Sequence, residues 1–156
     1  MTDTRRLKPT DPSASPRFGD VATLLRAPRV PAGDEIDIAL VGVPFDLGTN
    51  YRTGARGGPA AVREASRTIR LVHPTSKIAP FEQCEVADVG DVTINALDLN
   101  ASLAGIEAFF RHLHEVRITP IAMGGDHAIP PRRGGRPDRS EANGASGAAW
   151  QPVHLR

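Results

Sequence analysis

The sequence predicts an α/β protein, a partial three-layer α/β/α arrangement around a parallel sheet. Three observations predict it. Apolar runs within residues 36–43, 83–89 and 117–123 have the length and composition of strands. Two stretches between them carry apolar residues at helical spacing. The resulting order is β-loop-α-β-α-β, which right-handed crossovers turn into a parallel sheet with helices on its faces. The sheet is expected to be truncated after the third strand.

The third strand is the element around which the chain is organised. Ile118 to Met123 is a short apolar run that meets Gly124 and Gly125, and then Asp126 and His127 in direct succession. Such a strand delivers reactive groups to the carboxyl end of a sheet, where ligands of open α/β sheets bind. The two glycines let the backbone turn sharply and come close to a ligand. His127 can offer a neutral ring nitrogen to a metal, and Asp126 can orient it or join it. A turn with a capping acid and a surface histidine is the plainer alternative.

The first strand, Ile36 to Val43, is apolar without interruption from Ile38, as expected of a strand covered on both faces. Pro44 ends it. The loop 45–58 holds four glycines among Asp46, Asn50, Arg52 and Arg56, and a loop of that length in a compact domain is usually functional or disordered. Its polar groups favour a functional loop. Pro59 occupies a first-helical-residue position, and Val62, Ala65, Ile69 and Val72 form the expected buried stripe of a helix that ends before Pro74, with Arg63, Glu64, Arg67 and Arg70 off it. Residues 74–80 connect to the second strand, 83–89, whose exit carries Asp88 and Asp91. These carboxylates read equally as groups supporting a site and as a polar strand exit. Leu99, Leu103, Ile106, Phe110 and Leu113 mark a second helix, with Asp98 or Asn100 as its N-cap. His112 and His114 fall near its end, where the helix dipole favours histidine.

Residues 1–34 are rich in proline and charge and are expected to form an arm, mostly extended, with a helical turn or arm at Phe18 to Leu25. Residues 35–129 are the α/β domain. From Pro130 to Arg156 the chain loses apolar periodicity, and this stretch reads as a disordered, out-of-frame tail.

Composition narrows the function classes. Nineteen Lys+Arg against 18 Asp+Glu give a formal charge of +1, so no global field draws the chain to nucleic acid or to an anionic membrane. No apolar run approaches the roughly 20 residues of a membrane span. Nor does an apolar signal core follow Met1-Thr-Asp-Thr-Arg-Arg, so a cytoplasmic protein is expected. Cys84 is the single cysteine, which excludes an intramolecular disulfide, and its setting suggests a buried, inert thiol. The spacing of the glycine-rich loop fits neither a dinucleotide-binding nor a P-loop fingerprint.

Three stretches together resemble the ureohydrolase family of arginases, agmatinases and guanidinobutyrases: Val41-Gly-Val-Pro-Phe-Asp-Leu-Gly-Thr-Asn-Tyr-Arg-Thr-Gly-Ala-Arg-Gly-Gly-Pro59, Val89-Gly-Asp91, and Met123-Gly-Gly-Asp-His127. Arg52-Thr-Gly-Ala-Arg56 points to the agmatinase and guanidinobutyrase branch. The resemblance covers roughly residues 17 to 129. It implies an arginase-like sheet and hydrolysis of a guanidino C–N bond with release of urea by a pair of manganese ions. A resonance-stabilised guanidinium carbon is a poor electrophile, and two close cations can hold hydroxide and stabilise the tetrahedral intermediate. By the resemblance, His127 is a metal ligand, Asp126 stands behind it, and Asn50, Tyr51 and Arg52 lie near substrate or a subunit contact. The implied partners are a small guanidino compound, agmatine or a guanidino acid, and further copies of the chain. The family's Asp-Ala-His-x-Asp and Asp-x-Asp ligand motifs do not occur in these 156 residues. The expectation is therefore an agmatinase-like chain without activity of its own. A non-catalytic module co-assembling with an intact homologue is the alternative.

Overall fold

The computed structural model describes residues 7–33 and 35–126. Its centre is a parallel three-stranded sheet of β1 (Ile38–Val43), β2 (Val86–Asp91) and β3 (Thr119–Gly124), in the order β2-β1-β3. The connections are α1 (Gly58–Ser66) and the short α2 (Pro80–Gln83) between β1 and β2, and α3 (Leu99–Glu115) between β2 and β3. Successive side chains of the central strand β1 serve opposite faces. Ala39, Val41 and Val43 meet Ile106 and Leu113 of α3, whereas Leu40 meets Leu24, Ala27, Phe81 and Val86. Helices thus cover both faces of β1, in the predicted α/β arrangement, and every β1 residue from Ala39 onward is buried, whereas β3 is largely exposed.

The α3 stripe folds as its spacing requires. Ile106 and Leu113 are fully buried, and Leu103, Phe109 and Phe110 pack around them. Of the two cap candidates, Asp98 is the cap, its carboxylate accepting the Ala101 N–H at 2.9 Å. Asp98→Ala is expected to lower stability by about 1 kcal/mol in a urea titration. His112 and His114 are exposed in the last turn.

Three expectations are corrected. The second strand is Val86–Asp91, not 83–89, because Pro80 starts a helical turn that buries Phe81 first. Cys84 is half-buried against that cluster, not fully enclosed. The first helix stops at Ser66, and β-branched Thr68, Ile69 and Val72 beyond it are poor helix formers. Its buried face is Pro59, Arg63 and Ser66, whereas Val62, Ile69 and Val72 are 41%, 45% and 45% exposed.

The inversion of α1 has an electrostatic cause. Asp88 points from β2 into the layer beneath α1 and is fully buried. A buried carboxylate must be paired. Arg63 therefore turns inward, its Nε and Nη2 donating to Asp88 at 2.9 and 3.1 Å and its Nη1 to Asp91 at 2.6 Å. Leu24 N–H and Gly90 N–H complete the shell of Asp88 at 2.8 Å each. Burial pulls Asp88 toward its neutral form, but the Arg63 guanidinium and the two N–H donors together hold it below the usual carboxylate range. Asp88 and Asp91 are thus the anchors of α1. A bulge at Leu40/Val41 assists, with Gly90 at φ +90°, a conformation suited to glycine.

The arm contributes to the core. Its helical turn is Leu24–Arg26, and Leu24 and Ala27 are core residues. Val30 N–H donates to Asp88 O and Asp88 N–H to Pro28 O, so the arm lines the outer edge of β2. The tail 130–156 and His127 lie outside the described residues.

Candidate functional site

In the order β2-β1-β3, β1 connects to one neighbour through α1 on one face, and β2 crosses back through α3 on the other. The reversal places a topological switch point beside β1 and β3, and the crevice at their carboxyl ends is where such sheets take ligands. Two segments meet there: loop 45–58 leaving β1, and Gly125-Asp126 leaving β3.

Both are tied down. Gly125 N–H donates to Val43 O at 3.2 Å and Asp126 N–H to Phe45 O at 3.0 Å. Gly125 is the closest approach, since a Cβ there would overlap the Phe45 carbonyl. The glycine expected to admit a ligand thus admits the neighbouring loop. Asp126 Oδ2 accepts the Gly48 N–H at 2.8 Å, so the acid beside His127 holds the start of the loop.

The second tie is within the loop. Asp46, 2% exposed, accepts from Arg56 Nε at 2.6 Å, from Gly54 N–H at 2.7 Å and from Arg56 N–H at 3.3 Å. The side-chain bond from Arg56 and then the Gly54 N–H lower the Asp46 carboxyl to about 2, against the opposing effect of burial. A lowered folded value means a contribution that is complete above the ordinary 3.8 and is lost as pH falls through about 2. The Gly54 amide resonance should titrate in that window in the parent and stay flat in Asp46→Asn.

Between the ties stands the tip. Asn50, Tyr51 and Arg52 are exposed, Tyr51 to 84%, and the Arg52 guanidinium lies 5.2 Å from the Tyr51 ring centroid. The structure brings Asp126 to Gly48 of the same loop. Asp46 and Arg56 were visible in the sequence only as polar residues among glycines; their ten-residue separation closes the loop on itself. Among the described residues no group of three or more His, Cys, Asp or Glu is placed to hold a metal ion, and the Asp126 carboxylate faces an N–H. The described donors alone do not fit a manganese pair. No helix among them is long and apolar enough to cross a membrane.

A doubly wound α/β domain with a pinned glycine-rich loop at its switch point is the class that fold and site define. The Arginase family profile matches residues 36–131, and the chain belongs to the arginase family. It is 41% identical over 122 residues to guanidinopropionase of Pseudomonas aeruginosa, covering 78% of this chain and 38% of that protein. It is 42% identical over 125 residues to guanidinobutyrase of the same organism, covering 78% and 39%. The solved proclavaminate amidino hydrolase of Streptomyces clavuligerus superposes with a TM-score of 0.70 at 31% identity, over 74% of this chain and 38% of that one. A Trypanosoma cruzi formiminoglutamase solved with two Mn2+ shares the fold, at a TM-score of 0.55 and 23% identity over 69% of this chain and 37% of that one. The chain thus spans about two fifths of the length of these relatives.

Proposed function

We propose that this chain is the N-terminal part of a ureohydrolase that splits a guanidino C–N bond and releases urea, acting on a guanidino acid or agmatine. One observation carries the reading: Asp126 pins the glycine-rich loop to the strand end that leads into His127, at the switch point of an arginase-family sheet. The relatives that support it are named for guanidino acids. His127 is this chain's contribution to a manganese site, and Asp126 and Asp46 set the loop whose tip, Asn50 to Arg52, borders the substrate. When bound, the metal pair supplies hydroxide and electrophilic stabilisation. The loop residues contribute position: the loop is preformed and loses little freedom when substrate arrives. The remaining ligands come from outside the 156 residues, so these residues by themselves do not turn over substrate.

The test is a chimera joining residues 1–127 to the rest of the Pseudomonas aeruginosa guanidinopropionase. Manganese-dependent urea release from 3-guanidinopropionate, 4-guanidinobutyrate or agmatine is expected from the chimera, with loss on His127→Ala and none from the 156-residue chain. A folded chimera that binds manganese but releases no urea from any of the three would overturn the reading.

A further inference from the structure

Between Asp46 and Arg56 the glycine-rich loop carries a single charge, that of Arg52. Its position is set from both sides. Gly48, four residues earlier, donates its N–H to the Asp126 carboxylate at 2.8 Å, and Gly54, two residues later, donates to the Asp46 carboxylate at 2.7 Å. The Thr49 N–H and hydroxyl also donate to the Asp46 carbonyl, at 3.3 and 2.8 Å. The tip is therefore a short span between fixed points, and the first of them is the strand end that leads into His127. An arginine on such a span stays beside the crevice at the switch point.

The neighbouring charges are engaged elsewhere. Asp46 holds the Arg56 guanidinium at 2.6 Å, and an Asp126 oxygen takes the Gly48 N–H. Among the described residues no carboxylate pairs with Arg52. Its guanidinium lies instead over the Tyr51 ring, 5.2 Å from the centroid, and Tyr51 is itself open to solvent. A guanidinium held by its face keeps the N–H donors along its edge free. Those donors match a carboxylate through two parallel N–H···O bonds. They repel an ammonium and offer little to a neutral group.

We propose that Arg52 receives the carboxylate tail of the substrate, so that the site takes guanidino acids in preference to agmatine, whose tail is an ammonium. This assignment rests on the function proposed above and narrows its substrate class. Arg52 acts at the end of the substrate remote from the guanidino carbon and has no part in the hydrolysis. Its bond to the tail is the same before and during the reaction, so it sets KM and the choice of tail more than kcat. The two ties and the Tyr51 ring hold the guanidinium in place beforehand, which limits the freedom lost on binding.

The manganese-loaded chimera described above tests this, with urea release from 3-guanidinopropionate as the readout and agmatine as a competing ligand. In Arg52→Gln the KM for 3-guanidinopropionate is expected to rise about tenfold, with kcat changed much less, while agmatine inhibits no less than in the parent. Arg52→Lys keeps the charge but loses the fork, and should recover part of the loss. Arg111→Gln on α3 should change neither constant. An unchanged KM in Arg52→Gln, an equal weakening of 3-guanidinopropionate and agmatine, or a higher kcat/KM for agmatine in the parent would overturn the assignment and leave the ureohydrolase reading standing. Equal weakening would mark the tip as a support or a subunit contact. A folded parent chimera that releases no urea from any of the three substrates overturns that reading, and this assignment with it.

Discussion

Arg63→Met is expected to lower the stability of the chain by about 3–5 kcal/mol. The reason is the company the guanidinium leaves behind. Asp88 is fully buried on β2 and faces the layer under α1. Without Arg63 it keeps the Leu24 and Gly90 N–H donors at 2.8 Å but no countercharge. A buried pair adds little over a well-packed apolar pair of the same size, so the cost arises from stranding the survivor and not from the worth of the bridge. Two comparisons isolate that cause. Arg111→Met, which removes the exposed α3 pair with Glu107, should cost about 0.3–0.5 kcal/mol. The double change Arg63→Met with Asp88→Asn should recover part of the loss, because no unpaired charge remains. Urea titrations at pH 7 read all three. A loss under about 1 kcal/mol for Arg63→Met would mean that Asp88 finds another partner or water.

The same network shows where sequence reading stops. The three strands were legible because short apolar runs such as Ile38 to Val43, bounded by turn residues, have the length and composition of strands, and a run apolar on both faces suits a covered parallel strand. α3 was legible because Ile106 and Leu113 share one stripe and Asp98 precedes it. α1 reads upside down from its sequence. Helical periodicity ranks residues by their own polarity, and by that measure Val62 and Ile69 belong inside and Arg63 outside. The decision rests instead with Asp88, 25 residues further along the chain, whose need for a countercharge exists only once β2 lies beneath α1. The site divides in the same way. The glycine-rich loop and the Gly-Gly-Asp-His run were readable as a motif, and their meeting at one sheet end follows from parallel topology. That Asp126 would spend a carboxylate oxygen on Gly48, and that Asp46 would close the loop onto Gly54 and Arg56, were not readable, because backbone N–H donors carry no mark in the sequence.

The second large effect concerns that junction. Gly125→Ala is expected to cost about 1–3 kcal/mol and to loosen the glycine-rich loop. The cause is spatial, since Gly125 does not have a positive φ. Its Cα faces the Phe45 carbonyl so closely that any Cβ would overlap it, and the Phe45 backbone nitrogen lies 3.2 Å from the same point. The neighbour is backbone, which cannot swing aside as a long side chain can. Relief requires β3 and the start of the loop to part, which stretches the Gly125 N–H bond to Val43 O and the Asp126 N–H bond to Phe45 O. Asp126 would then carry its carboxylate away from Gly48. The signature is therefore a pair of changes: reduced stability in a urea titration, and faster amide hydrogen exchange at Gly48 and Asp126. Gly33→Ala is the control, because a Cβ there meets nothing within 4 Å. It should leave exchange in the loop unchanged and stability within about 0.5 kcal/mol. If Gly125→Ala lowered stability while exchange at Gly48 stayed at its parent rate, the loop would be held by Asp46 and Arg56 alone, and Asp126 would lose its place as the tie between the loop and the strand.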